Sequence, residues 1–260
     1  MTRKSRPEGR DDVRSQERRN LGRAADVARR AHPQTRRMAH AYERLNEVPR
    51  PVGRTRALRH LTRSLDALVA SHSEPYTVAG RVGMLLRHAL ADPLLLEPRH
   101  CEPWEDRYRP HLVHVHPAGR YSIVALVWKP GQATAIHDHR CWCVVGVWRG
   151  LERETSYDLH DEDGEPYLVQ RSSAVASRGQ VSVLVPPDED IHCVENAGDG
   201  IAISIHVYGD DIARLGSSIN CEFGDDLVRA CTVPWNDSGP WNDSGPWSAP
   251  VSWRTYGDRY

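Results

Sequence analysis

The sequence lacks an apolar run long enough to span a bilayer, and its first residues lack the apolar core of a signal peptide. Its six cysteines follow neither the spacing of a metal clip nor the dense pattern of a small disulfide-bonded secreted domain. These absences argue against a membrane-spanning protein and against a secreted one. We therefore expect a protein of the reducing cytoplasm, with no membrane partner.

The first 63 residues have few large apolar side chains and an excess of arginine. They contain 18 Lys+Arg and 7 Asp+Glu, a net charge of +11, whereas the remainder contains 16 and 28, a net charge of −12. Such a stretch buries too little surface to offset its ordering entropy, so we predict a disordered or loosely helical leader over residues 1–55. A nucleic-acid-binding arm and translation from Met38 are alternatives. Basic charge without interleaved aromatic residues gives little specificity, so nucleic acid is not an expected partner.

The rest of the chain changes texture twice. From Arg56 to about Leu95, apolar residues recur at helical spacing, which predicts two short amphipathic helices. After Tyr108, short runs of Val, Ile, Leu and Trp are bounded by Gly, Pro and Asp, as in strands joined by turns. At the C-terminus, the hexapeptide Pro-Trp-Asn-Asp-Ser-Gly occurs twice in succession. We interpret residues 231–260 as a low-complexity tail, with a tryptophan-bearing lid over the barrel as the alternative.

The strand-rich region predicts a single barrel domain. The eight predicted strands are Leu112–His116, Tyr121–Trp128, Cys141–Trp148, Glu152–Leu159, Tyr167–Gln170, Val181–Val185, His192–Glu195 and Ile201–Val207. Strands of this number and spacing favour a small antiparallel β-barrel or jelly roll. We expect the helices to pack at one end of this barrel, within a domain that spans residues 56–230.

Three histidines in this region are candidate metal ligands. His137 and His139 point the same way if they lie in a strand, because alternate side chains of a strand share a face. His192 lies in a later predicted strand, which could bring a third imidazole to the same metal. Neutral imidazoles suit iron, nickel, copper and zinc rather than magnesium or calcium, and spacing alone does not choose among the four.

The glycines and the cysteine around these histidines make the pattern more specific. Gly131 precedes the histidine pair, Gly150 follows it, and Asn196 lies four residues after His192. This frame usually has a carboxylate at the position of Cys143. The absence of that carboxylate disfavours the arrangement of two histidines and one carboxylate that many iron oxygenases use.

Three segments together resemble a known family. They are Trp128–His139, Ile191–Asn196 and the Ser-Ile-His-Val-Tyr-Gly run at 204–209. In this order they resemble the thiol dioxygenases, which are cupins with mononuclear non-haem iron and include cysteine dioxygenase and 3-mercaptopropionate dioxygenase. The resemblance implies a mainly β, cupin-type small barrel (jelly roll) with short N-terminal helices. It also implies an enzyme of thiol metabolism that uses Fe(II), held by His137, His139 and His192, and O₂ to oxidise a small thiol to its sulfinate.

The same resemblance implies roles for four further residues. Ser204, His206 and Tyr208 match the family's hydrogen-bonded relay beside the metal, and the phenol would contact the bound oxygen or the substrate. Cys143 matches the position at which some relatives carry a cysteine that can form a thioether with the relay tyrosine.

The sequence departs from the family where relatives bind the substrate carboxylate. Tyr108 matches a family tyrosine, but the arginine expected two residues later is Pro110, and the arginine expected nine residues after the relay tyrosine is Ser217. The nearby cations Arg109, Arg140 and Arg214 are weaker candidates for substrate binding. A thiol other than cysteine, even one without a carboxylate, is therefore compatible with the sequence.

Two other functions are compatible with these residues. One is a different metal-dependent enzyme that uses the same three histidines. The other is a non-catalytic, ligand-binding cupin whose basic leader contacts DNA. The sequence makes no prediction of oligomeric state.

Overall fold

The computed structural model describes residues 55–72, 74–187 and 189–229. The predicted leader, apart from its last residue, and the predicted tail lie outside these residues. None of the helices in the described ranges has the length and apolar character that crossing a bilayer would need.

Two α-helices begin the described chain, as the apolar spacing predicts. Helix α1 covers Arg56–Ser71, and its first turn is capped by the side chain of Thr55, which accepts a hydrogen bond from the amide of Leu58. Helix α2 covers Pro75–Leu90 and is capped by the carboxylate of Glu74. Each helix buries one apolar stripe.

Eleven strands and three short helical turns follow. The strands are β1 Arg109–Val115, β2 Ser122–Trp128, β3 Ile136–His139, β4 Cys143–Arg149, β5 Leu151–Glu162, β6 Glu165–Ser177, β7 Val181–Leu184, β8 His192–Asn196, β9 Ala202–Tyr208, β10 Ile219–Phe223 and β11 Val228–Arg229. The turns are two 3₁₀ helices, Pro98–Cys101 and Asp225–Leu227, and α3, Ile212–Leu215.

The strands form two facing sheets. One sheet has the order β1-β2-β9-β4-β7, and the other has the order β10-β3-β8-β5-β6-β11. All neighbours are antiparallel except β11 and β6. The fold is therefore a mainly β, double-sheet barrel of the cupin type, as predicted.

The position of the helices differs from the prediction. They lie against the outer face of the five-stranded sheet rather than at one end of the barrel, and Leu86 and Leu90 of α2 face Gly146 of β4. Strands β2 and β9 are consequently buried at every residue, because helices cover one face and the barrel interior covers the other. The inward residues of these strands form the side of the barrel that carries the functional groups.

Gly150 allows the tight connection between β4 and β5. Its φ of +79° lies in the left-handed region, and an added Cβ would lie 2.7 Å from the Cα of Ala202 and 3.0 Å from the carbonyl oxygen of Ile201. Only a residue without a side chain fits between these strands. The connection sets where β5 enters the six-stranded sheet.

Candidate metal centre and relay

Three buried histidines converge inside the barrel. His137 and His139 lie on the same face of β3, and His192 of β8 is the direct cross-strand partner of His137. The potential ligand atoms of the three side chains all lie within 4.8 Å of one another. The structure thus brings together the three residues that the sequence predicts as metal ligands.

Hydrogen bonds that Nδ1–H donates orient two of these rings. Nδ1 of His137 lies 2.9 Å from the carbonyl oxygen of Ala135, so it is the protonated nitrogen that donates. Nδ1 of His192 lies 2.7 Å from the Glu154 carboxylate. In both rings Nε2 remains as the unprotonated donor atom for a metal.

The third ring is supported by Asp190. One oxygen of this buried carboxylate accepts a hydrogen bond from the backbone amide of His139 at 2.8 Å and lies 3.6 Å from its ring Nδ1. The contact fixes β3 against the loop that leads to β8. It also places negative charge behind a ligand candidate, which would increase the ligand's basicity.

Burial keeps these imidazoles in the form that binds metals. Desolvation lowers the pKa of His137 well below its usual value, and the neighbouring His192 and His139 lower it further. Desolvation also lowers the pKa of His139, although Asp190 opposes the effect. Neutral imidazoles converging on one point, with no carboxylate among them, fit a divalent transition metal rather than magnesium or calcium.

A narrow and very small cavity adjoins the histidines. Leu126, Val194 and Ile219 form apolar walls, and Tyr108 packs against Trp128 with ring centroids 4.5 Å apart. Within the described residues, no arginine or lysine lines the cavity. The cavity therefore suits a small, largely uncharged group beside the histidines.

Strand β9 supplies a buried polar chain on the opposite wall. Ser204 Oγ lies 2.9 Å from Nε2 of His206, and Nδ1 of His206 lies 3.3 Å from the Tyr208 hydroxyl. Ser204 Oγ also accepts a hydrogen bond from the indole N–H of Trp128 at 3.1 Å. Burial lowers the pKa of His206 to about 3, so this imidazole stays neutral and can only donate at one nitrogen and accept at the other.

Cys143 lies beside this chain. It is the cross-strand partner of Tyr208 and is fully buried, with Sγ 4.0 Å from Nδ1 of His206. Burial raises the pKa of its thiol well above the usual value. The side chain is thus a protonated thiol next to the phenol, and the thioether remains a prediction.

The four predicted substrate-binding residues separate into two groups. Tyr108 lines the cavity. Arg109 pairs with Glu102 at 3.1 Å, and Arg214 is exposed and pairs with Asp210 at 3.0 Å. Arg140 is also exposed, and its Nε donates to the carbonyl oxygen of Ile219. None of these three arginines is among the residues that line the cavity.

Two carboxylates near the site are not predicted by the sequence motifs. Glu154 holds His192, and Glu152 is fully buried two residues earlier on β5. The sequence signal for both is the alternation Glu152-x-Glu154-x-Ser156, which marks one polar face of a predicted strand. Alternation does not say which face lies inside the barrel.

A family comparison agrees with this geometry. Residues 104–214 match the family described as cysteine dioxygenase type I, and the match contains the three histidines, Cys143 and the β9 chain. This segment, which is less than half of the chain, is therefore similar to the cysteine dioxygenase family.

Solved structures with partial likeness include two cupin-type proteins. A conserved protein of Klebsiella pneumoniae with a double-stranded β-helix domain is 17% identical, with 47% of this chain and 94% of that chain covered and a TM-score of 0.34. Bacillus subtilis oxalate decarboxylase is 18% identical, with 42% and 28% covered and a TM-score of 0.32. Overlaps this limited support no functional conclusion.

Proposed function

We propose that this protein is an iron-dependent thiol dioxygenase that oxidises a small thiol to its sulfinate with O₂. The observation that supports it most directly is the juxtaposition of two units in one cavity. Three converging imidazoles lie on one side, and His206 and Tyr208 lie on the other, with Ser204 bonded to His206 behind them. The family match of residues 104–214 supports the same reaction class.

His137, His139 and His192 would hold the metal, for which we propose Fe(II). When bound, iron would supply the site at which thiolate and O₂ meet and a path for the electrons that pass from sulfur to O₂. Three neutral ligands leave the charge of the ion uncompensated, which favours an anionic sulfur over a neutral one.

The chain's own residues would exclude water and position a proton. Leu126, Val194 and Ile219 surround the thiol with apolar surface, which strengthens the electrostatic interactions inside. The Tyr208 phenol lines the same cavity and would hydrogen-bond an oxygen atom near the metal. His206 would hold the phenol in place from behind at 3.3 Å.

For the substrate, we propose a small thiol whose remaining part need not carry a carboxylate. A bidentate arginine is the strongest protein anchor for a carboxylate, and the described cavity lining contains none. Losing such a charge-assisted contact costs about 1.5–3 kcal/mol, which is roughly a 10- to 150-fold loss in affinity. Discrimination between cysteine, 3-mercaptopropionate and an uncharged thiol such as 2-mercaptoethanol should therefore be weak.

The test is a thiol panel on full-length protein loaded anaerobically with Fe(II). Oxygen consumption and sulfinate formation are measured for the three thiols, with zinc-loaded protein and His192→Ala as controls. We expect about one iron per chain, sulfinate formation only with iron, and kcat/KM values for the three thiols within roughly 10²-fold of one another. Bound iron at one per chain without sulfinate from any thiol would refute the proposed reaction.

The proposed location is a reducing compartment. The cysteines at positions 101, 141, 143, 193 and 221 are all free thiols, which supports a reducing environment.

A further inference from the structure

Glu152 is a buried acid that the proposed reaction does not yet use. It lies on the inward face of β5 with no exposed surface, and neither carboxyl oxygen has a hydrogen-bond partner of normal geometry within the described residues. The nearby Ser204, the first member of the β9 chain, lowers the pKa of this carboxyl and so favours its ionised form. Burying a carboxyl without a hydrogen-bond partner lowers the stability of the fold. Such a group in a folded protein therefore needs an explanation, and a specific role is one.

The groups around Glu152 leave it without a compensating cation. On its own strand the next inward residue is Glu154, whose carboxylate contacts His192 and Ser182. Across β8 its partner is Asn196, whose amide donates to two backbone carbonyls, and across β6 its partner is Ala176. From β9, the neutral His206 reaches it through Ser204.

These surroundings favour the protonated carboxyl. Desolvation raises the pKa of Glu152 to about 8, and Glu154 adds to the effect while Ser204 opposes it. The group can therefore change charge near neutral pH, which few buried acids do.

Counting protons at Ser204 shows why that change matters. The Ser204 hydroxyl has one proton to donate, and the Trp128 indole beside it can only donate. If the Ser204 proton goes to Glu152, His206 must donate from Nε2 to Ser204. If the Ser204 proton goes to His206, then Nε2 of His206 must be unprotonated.

We propose that Glu152 is a positioning residue whose protonation state selects the tautomer of His206 and thereby the direction of the Tyr208 proton. The inference deepens the proposed function, since it concerns control of the same site. It follows from a buried carboxyl whose oxygens lack a hydrogen-bond partner within the described residues, from the nearby Ser204, and from the single proton that Ser204 can share with His206 2.9 Å away.

The two states differ at every link of the chain. With Glu152 protonated, its hydroxyl donates to Ser204, Ser204 donates to Nε2 of His206, and the Nδ1–H of His206 donates to Tyr208. The phenol proton is then available to a molecule in the cavity. With Glu152 ionised, Ser204 donates to the carboxylate, Nε2–H donates to Ser204, and Nδ1 accepts the phenol proton. The active form is the one with Glu152 protonated.

The direct test is the tautomer of His206, followed by ¹⁵N NMR of the imidazole in the full-length chain with Zn(II) present. Zinc keeps the site diamagnetic, and a His206→Gln variant identifies the signals. In the wild type we expect the Nδ1–H tautomer at low pH and the Nε2–H tautomer at high pH, with the change inside the range of about 5 to 9. A single tautomer across that range overturns the proposal.

Two variants locate the cause. Glu152→Gln keeps the shape but cannot titrate, so the tautomer should no longer change with pH. Ser204→Ala keeps the carboxyl and breaks its link to His206, so the change should vanish there too. A tautomer change that persists in Glu152→Gln would assign the switch to another group and overturn the proposal.

Activity gives a second readout. On the alkaline side, kcat of the iron-loaded wild type should fall relative to that of Glu152→Gln by about tenfold per pH unit beyond the midpoint, with KM for the thiol unchanged. Identical pH profiles of kcat in the two proteins would overturn the role in turnover. Because the NMR experiment needs no turnover, its result is separate from whether the protein oxidises thiols.

Discussion

At the residue scale, local spacing determines where the predicted site residues lie, whereas long-range contacts determine where the unpredicted ones lie. His137 and His139 are fixed by spacing, since two residues of one strand share a face wherever the strand goes. Glu152 and Glu154 show the same alternation, but polar faces of strands usually contact water. Their inward position depends on which face of β5 turns into the barrel, and that is decided by pairing with β8, which is far away in sequence.

Removing the Tyr208 hydroxyl tests the relay. Tyr208→Phe should keep the metal, because the phenol is not one of the three candidate ligands, but it should lower turnover by roughly 10²-fold if the phenol transfers a proton in the slow step. Tyr157→Phe is the matched control, since that hydroxyl lies near Cys193 outside the cavity. Equal turnover of both variants and wild type at saturating thiol would return Tyr208 to a packing role.

Neutralising Glu154 tests the support of His192. Glu154→Gln removes the negative charge 2.7 Å from Nδ1 of His192 and should weaken metal affinity by about 10- to 100-fold. Glu195→Gln removes a carboxylate of β8 that pairs with Arg153 on the protein surface, and it should leave metal affinity unchanged. Metal titration by competition with a chelator measures both. An unaltered affinity in Glu154→Gln would show that His192 is oriented without this contact.

At the scale of elements, local sequence patterns were enough to predict the amphipathic helices and the tight turns. Each of the helices α1 and α2 has an apolar stripe that is visible in its own sequence. The turn at Asp163-Gly164 is likewise local, since both of its residues have a positive φ. Strand β6 extends well beyond the predicted Tyr167–Gln170 because β5 pairs with it along its whole length. Strand β10 was not predicted, although Ile219, Cys221 and Phe223 alternate, because its pairing with β3 is a long-range contact.

The β4–β5 connection offers a test of close packing between strands. Gly150→Ala should lower the free energy of unfolding by at least about 2 kcal/mol, since it adds a backbone clash to the cost of a positive φ. Gly179→Ala shares a positive φ of +88° but meets nothing within 4 Å, so it should cost only about 1 kcal/mol. Urea denaturation of the two variants gives the comparison. Equal losses of unfolding free energy in the two variants would mean that Ala202 moves away from position 150 without an energetic penalty.

At the scale of the whole molecule, the barrel interior holds ionisable side chains among its apolar ones. Desolvation lowers the pKa of His206 to about 3 and raises that of Glu152 to about 8, so both are held neutral. Buried neutral polar groups destabilise the folded protein unless their hydrogen bonds are made. Function and stability are therefore linked through the same residues.

This link predicts a pH-dependent stability difference between the metal-free wild type and Glu152→Gln. The folded pKa of Glu152, about 8, lies above its ordinary value of 4.5. Between these values the native state keeps a proton that the unfolded state has lost, so wild-type stability falls as pH rises. The variant has no ionisable group at this position. Subtracting its stability from that of the wild type at each pH removes the contributions of the other ionisable groups, which the two proteins share.

Relative to Glu152→Gln, the wild type should therefore lose about 5 kcal/mol in free energy of unfolding as the pH rises from below 4.5 to above 8, at about 1.4 kcal/mol per pH unit between these values. The difference should be constant below and above this range, because there both states of the wild type carry the same charge at this residue. Urea denaturation of both proteins at half-unit pH steps measures it. A difference that does not change with pH would mean that Glu152 ionises normally in the native state, and that its carboxylate reaches water or a cation through a motion of β5.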